Sequence, residues 1–428
     1  MTENELIQDN INLFMEYMNI CKKNLSLDMT RGKPSSKQLD LSNDMYNVLN
    51  GDFKNREGID VRNYNSPSGI IEARELFAQM LGTVADNIYI GNSSSLNLMY
   101  DTLMRAMVFG EIESTTPWSQ RKTKKWLCPA PGYDRHFRIT ETLGFELITV
   151  PMTDEGPDMK KVEKLVKDPD VLGIWCVPCY SNPDGVVYSM EVCERLAKMK
   201  TAAPDFRIYW DNAYIIHDLY KIEDGVIPDM LNLCAEYGNA NRVYEFTSTS
   251  KITFTGSGLS CFACNKDNMK YAMKYLNTQT ICTNKINQLV HVRYLQDLKT
   301  MEKRMMQQAK ILRPKFDACL NILDTELGDA DWWHWTRPKG GYFISFYAYP
   351  GTAKRIVELC NYAGVALTPA GATYPYSKDP KDSNIRIAPS LPPIGDIKKA
   401  MHVFTVCVKI ATIEKITKHE LVKIPENK

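Results

Sequence analysis

The stretch Arg242-Val243-Tyr244-Glu245-Phe246-Thr247-Ser248-Thr249-Ser250-Lys251 decides the fold. Its first half carries the Val, Tyr and Phe of a strand. Its second half is a run of hydroxyl side chains that ends on a lysine. A strand that delivers a polar cluster at its C-terminal end is the unit from which parallel α/β sheets build their sites. The same unit recurs upstream. Segment 88–90 runs into Gly91-Asn92-Ser93-Ser94-Ser95, and 125–128 leads to Pro131-Gly132-Tyr133-Asp134. Segment 173–177 leads to Tyr180-Ser181-Asn182-Pro183-Asp184-Gly185, and 207–210 into Asp211-Asn212-Ala213-Tyr214. With 145–150 and 260–264 these make seven expected strands. Between them apolar residues fall at helical spacing, as in Leu96, Met99, Leu103 and Met107. From about residue 60 to about residue 300 the alternation predicts an α/β fold, a mostly parallel seven-stranded sheet with helices on both faces.

Outside that region the pattern changes. Residues 6–21 read as one amphipathic helix, followed by an irregular crossing segment. After residue 300 come long helical stretches, a β-rich run at 341–347, a helix near 353–363, a short strand at 385–388 and a last helix from about 395. This mixture predicts a smaller α+β domain. The expected division is therefore 1–60, packing with the small domain, 61–300 as the large domain, and 301–428 as the small one. A chain of 428 residues is of a length for two domains.

Composition narrows the function. Lys plus Arg number 52 against 51 Asp plus Glu, a net charge of +1, so no global field draws nucleic acid or an acidic membrane. A small-molecule partner fits that balance. The N-terminus carries Glu3, Glu5 and Asp9 where an export signal has a basic start and an apolar run. No window reaches the roughly 18 consecutive apolar residues of a spanning helix. These features predict a cytoplasmic protein with its 12 cysteines mostly reduced. Cys176 with Cys179, and Cys261 with Cys264, form two CxxC pairs, the spacing of some zinc sites. Each pair lies in or at the end of an expected strand, where residues three apart face opposite ways, so packing is the reading and no metal is expected. No GxGxxG joins a strand to a helix, which argues against a dinucleotide enzyme.

Each polar cluster has an ordinary reading as well as a chemical one. Gly91 to Ser95, opening a helix, is a helix cap or a phosphate cradle. Asp211 is a cap or the partner of a cation. Tyr133 is core packing or a ligand face, and Lys251 a surface charge or an amine with a task. Jointly they specify one cofactor, because pyridoxal phosphate needs a lysine for its aldehyde, an acid for its ring nitrogen and a cradle for its phosphate.

In order and spacing the chain resembles the fold type I, class I/II aminotransferases. The resemblance runs through Tyr64 with Gly69 and Arg74, Gly91 to Ser95, Tyr133, Asn182-Pro183 with Gly185, Asp211 with Tyr214, Ser248 to Lys251, and Arg386. Asp28 to Pro34, Gly91 to Met99, Ser248 to Phe254 and Asn384 to Ala388 look like the bacterial aspartate aminotransferase subgroup Ic. The resemblance implies that Lys251 binds the cofactor as a Schiff base and then serves as general base. It implies that Asp211 keeps the ring nitrogen protonated, that Asn182 and Tyr214 bond its phenolic oxygen, and that Tyr133 stacks on the ring. Amides of Asn92, Ser93 and Ser94 and the Ser248 hydroxyl would take the phosphate, with Tyr64 reaching from a second subunit of a homodimer. Arg386 would hold the substrate's α-carboxylate, with Gly32 and Asn182 beside it.

One position departs from the pattern. Many relatives carry a basic residue eight places after the lysine, and here that place is Leu259. The resemblance implies ping-pong transfer from an L-amino acid, aspartate first, to 2-oxoglutarate, with aromatic or kynurenine-type donors as the alternative. Arg31 is either a partner for a distal carboxylate or one half of an ion pair between domains. A lyase on the same fold would keep Lys251 and Asp211 but could dispense with Arg386. A DNA-binding regulator needs an added basic module, and residues 1–60 show no such pattern.

Overall fold

The computed structural model describes residues 10–220 and 227–424, so positions 6–9 of the expected first helix lie outside it. In chain order the strands are β1 (Leu27–Asp28), β2 (Ile88–Ile90), β3 (Lys125–Ala130), β4 (Glu146–Thr153), β5 (Gly156–Pro157), β6 (Val171–Cys176) and β7 (Arg207–Asp211). Then come β8 (Val243–Ser248), β9 (Ser260–Ala263), β10 (His334–Trp335), β11 (Ile344–Tyr347), β12 (Val365–Ala366) and β13 (Asn384–Ile387). The large sheet has the order β2-β9-β8-β7-β6-β3-β4-β5. From β8 to β4 neighbouring strands are parallel, while β2, β9 and β5 pair antiparallel. All seven expected strands are present. The eighth, Gly156–Pro157, extends a hairpin from β4, which runs on to Thr153. Two residues are too short for any periodic signal, and a proline without an N–H is at home on an edge.

β6, β7 and β8 are buried at every position, as a parallel sheet covered on both faces requires. The sheet's core is rich in aromatics. Trp126 packs edge-on against Tyr209 at 5.2 Å and tilted against Trp175 at 5.5 Å. Gly173 makes room for this, because a Cβ there would collide with the Trp126 ring.

A second core gathers the 29-residue helix Leu298–Glu326, the helices Ala353–Tyr362 and Ile394–Thr417, and the antiparallel sheet β10-β11-β13. The N-terminal segment joins it. Helix Asn10–Cys21 buries Leu13, Tyr17 and Ile20, and the Tyr17 hydroxyl donates to the carbonyl of Leu359 at 2.9 Å. β1 pairs with β12 through Leu27 and Val365. The two cores meet around the turn after β6, where the Tyr347 hydroxyl of β11 donates to Asp184 at 2.8 Å. Burial pushes the Asp184 carboxyl up to about 6 against the pull of those hydrogen bonds.

The β1–β12 junction rests on Gly364, whose φ of +84° belongs to the left-handed region and whose missing Cβ leaves room for the Leu25 carbonyl. Gly364→Ala should therefore destabilise the protein by about 2–4 kcal/mol, from backbone strain plus overpacking. Urea unfolding checks this, and an unchanged midpoint would mean that the Leu25 backbone yields instead.

Candidate active site

The C-terminal ends of β6, β7 and β8 open toward the second core, and there lies a cavity of about 720 Å³. Gly32, Tyr133, Asn182, Asp211, Tyr214, Lys251 and Arg386 all line it. Lys251 follows β8 by way of Thr249, whose N–H donates to Leu259 at 2.8 Å and whose carbonyl accepts from Ile252 at 2.9 Å. That short turn aims the lysine inward. Its ammonium lies 4.8 Å from the centre of the Tyr214 ring and has no ion-pair or hydrogen-bond partner among the described residues.

Asp211 is the last residue of β7 and is buried. One carboxylate oxygen accepts from the N–H of Ala213 at 3.1 Å, and the other lies 2.9 Å from Nε2 of His136. His136 is itself buried, stacked on Trp175 at 4.4 Å. It was not picked out from the sequence, although it stands one helical turn beyond Tyr133 in the helix Asp134–Thr142. A lone histidine on a helix carries no local signal. Tyr214 lies in the turns that follow Asp211, over residues 213–216.

Arg386 comes from the second core. On β13, Ile385 and Ile387 point into that core and Arg386 into the cavity, as alternation requires. Its Nη1 donates to Asp134 at 3.1 Å and to Asn182 at 3.3 Å, and its Nη2 to Thr368 at 3.4 Å. The guanidinium lies 4.9 Å from the centre of the Phe343 ring, and its Nε is buried without a partner. Phe343 fills the space left by Gly32, where a Cβ would collide with the ring. Asp134 belongs to the large-sheet core, so this ion pair bridges the two cores. Arg31 lines the cavity and makes no ion pair among the described residues.

The hydroxyl-rich turn lies to one side. Asn92 and Ser93 line a smaller recess of about 360 Å³ with Ser257, Leu259, Asn284 and Asn287, among others, and none of its lining side chains is charged. Ser94 caps the helix Ser95–Phe109, accepting from the N–H of Asn97 at 3.3 Å. Ser250, noted from the sequence only as part of the hydroxyl run, donates to the carbonyl of Ser93 at 2.9 Å and so ties this turn to Lys251. Ser248 is buried on β8 and lines neither space. Tyr64 is 73% exposed and also lines neither.

Burial raises the Tyr214 phenol above its ordinary range, with the Asp211 charge adding and Arg386 opposing. Burial takes Tyr133 to about 12 while Lys251 opposes. His217, facing Lys251, is pushed down to about 3 by burial and by that positive charge. Between roughly pH 6.5 and 3 an unfolded chain binds a proton at this position and the folded one does not. The folded protein must therefore lose stability as pH falls through that window, by about 1.4 kcal/mol per unit from this group. His217→Phe should flatten the acid limb of a plot of Tm against pH. Equal slopes for the two proteins would show that His217 takes its proton freely in the fold.

Sheet order and the convergence of strand-end residues on one cavity define the class as an α/β enzyme with its site at the strand ends. The chain belongs to the aspartate amino-transferase family, whose sequence model matches residues 1–420. It is 48% identical over 393 residues to the aspartate aminotransferase of Corynebacterium glutamicum, covering 92% of this chain and 91% of that protein. A crystal structure of an aspartate transaminase from the same species superposes with a TM-score of 0.94 at 45% identity, covering 97% of this chain and 98% of that one. The fold also matches the alpha-aminoadipate aminotransferase of Thermus thermophilus, complexed with N-(5'-phosphopyridoxyl)-L-leucine. There the TM-score is 0.73 at 18% identity, with 92% and 95% of the two chains covered.

Proposed function

We propose that this aminotransferase takes its amino group from L-aspartate, gives it to 2-oxoglutarate in a ping-pong cycle, and works with pyridoxal 5'-phosphate. The observation that carries the reading is the placement of Lys251, Asp211 and Arg386 around one cavity. The chemistry of that set fits the cofactor. Lys251 is an amine without an anionic partner, Asp211 is a carboxylate held in place by His136, and Arg386 keeps a buried, unpartnered Nε. The phosphopyridoxyl compound bound by the Thermus thermophilus relative supports the same cofactor.

Lys251 would hold the cofactor's aldehyde, Asp211 its ring nitrogen, Asn182 and Tyr214 its phenolic oxygen, and Tyr133 its face. Asn92, Ser93, Ser94 and Ser248 would take the phosphate, with the partner subunit's Tyr64 completing that site in a homodimer. When bound, the cofactor supplies an electron sink for the charge left at Cα. Arg386 binds the substrate's α-carboxylate and so fixes the direction of the Cα–H bond. The freed Lys251 amine moves the proton at Cα. Asp211 supplies the negative charge that favours a protonated ring nitrogen. Leu259 is buried in the large core, so the neutral lining beside it leaves hydrogen bonds and the N-terminus of the helix Ser95–Phe109 to face the phosphate.

Charge favours an acidic donor over an aromatic one. Arg31, Lys33, Arg135, Lys251 and Arg386 line the cavity against two carboxylates, Asp134 and Asp211. A dianion entering such a concave site meets a concentrated positive potential. The names of the Corynebacterium glutamicum relatives support the same donor. The two hydrophobic cores support a large and a small domain, with Leu13, Tyr17, Ile20 and Met29 of segment 1–60 in the small core. Met45, Leu49, Met301 and Met305 pack in the large core, across the divisions proposed at 60 and 300. A cytoplasmic setting suits the chemistry, and no helix among the described residues is long and apolar enough to cross a membrane.

Lys251→Ala should fold and bind pyridoxal phosphate weakly, but borohydride should no longer fix the cofactor to the chain. Stoichiometric labelling of the variant, read by mass spectrometry, would place the bond on another lysine. Arg386→Lys should lower kcat/KM for every amino acid by a similar factor, about tenfold or more, because a point charge does not copy a two-pronged contact. Loss with one substrate alone would make Arg386 a side-chain selector. Mixing inactive Lys251→Ala and Tyr64→Phe chains should restore part of the activity in hybrid dimers. Hybrids that form and stay inactive would show that each site is built within one chain.

A further inference from the structure

Among the described residues Arg386 has one anionic partner, Asp134. The Asp134 carboxylate meets Nη1 at 3.1 Å through a single oxygen, while Asn182 and Thr368 give only neutral contacts at 3.3 and 3.4 Å. Guanidinium groups favour two parallel N–H bonds to one carboxylate, and here the buried Nε has no partner. The fork is thus held by one prong and left unsatisfied at another position. The two partners also differ in freedom. The Arg386 side chain is 9% exposed, pinned over Phe343, whereas the Asp134 side chain is 36% exposed at the cavity wall. Asp134 opens the helix Asp134–Thr142, where a carboxylate is favoured by the free N–H groups with or without Arg386.

The geometry points to Asp134 as an internal competitor for Arg386, a positioning residue that occupies the guanidinium until a substrate carboxylate displaces it. This rests on the reading that Arg386 receives the α-carboxylate. The entering group gains two prongs where Asp134 has one, and Asp134 turns to the solvent-facing side of its helix terminus at little cost. Until then the pair keeps Arg386 aimed across the cavity, toward Asn182, and balances its charge. Each substrate must overcome that contact, so Asp134 weakens the binding of all carboxylates by a common factor and keeps the site from being filled by any stray anion.

The test is calorimetric titration of the holoenzyme with succinate, which has two carboxylates and neither an amino nor an oxo group to react. Asp134→Asn should bind succinate about threefold more tightly or better, as removal of a partly exposed competing ion pair implies. Asp134→Ser, which retains a cap at the helix start, should do the same, and Asp134→Glu should stay near the wild type. A purely structural role would give weaker binding in the Asn and Ser variants. Unchanged or weaker binding in whichever of those two melts cooperatively overturns the proposal. Arg386→Lys separates this from the reading beneath it. If that variant binds succinate as well as the wild type, Arg386 is not the carboxylate site and both fail. If it binds poorly while Asp134→Asn shows no gain, the competitor alone is rejected.

Discussion

Parallel pairing from β8 through β7, β6 and β3 to β4 is the constraint on which the site depends. Parallel strands all finish on the same side, so residues more than a hundred positions apart in sequence arrive at one edge without any interaction between them being needed. Tyr133, Asn182, Asp211 and Lys251 are each the product of a strand ending where its neighbours end. The strands can be buried on both faces only because helices cover both, and that burial keeps the strand ends rigid.

The cavity is then completed from the other core. β13 contributes Arg386, and the N-terminal segment contributes Gly32 beside Phe343. The cavity thus lies between a lysine fixed to one core and a guanidinium fixed to the other, and its width follows any relative movement of the two. Contacts such as Tyr347 with Asp184, and Asp134 with Arg386, span that junction with polar groups that can be exchanged, beside aromatic packing such as Tyr214 against Tyr342.

Electrostatics does most of the remaining selection. An excess of cationic side chains around a concave space favours anions in general, and Arg386 is the one among them held by β13 of the second core. The hydroxyl-rich recess at the other side is built differently. With Leu259 in the apolar core, the recess beside it is lined by hydroxyls, amides and backbone.

The sequence by itself determined the seven main strands, because the strands of a covered sheet are short runs rich in apolar residues bounded by polar turns, a signal that is local. Through the resemblance of their runs to the aminotransferases it also offered Lys251, Asp211 and Arg386 as site candidates, and the fold brings all three to one cavity. β5 escaped because two residues have no period. His136 escaped, as did the contact of Ser250 with Ser93, because the significance of each lies in a partner that no spacing predicts. Asp134 stood in a quoted turn, yet its ion pair with Arg386 joins residues 252 positions apart in two different cores. Which charges meet, which nitrogen is left unpaired, and how many cations surround one space are properties of distances through space, and only the tertiary structure decides those.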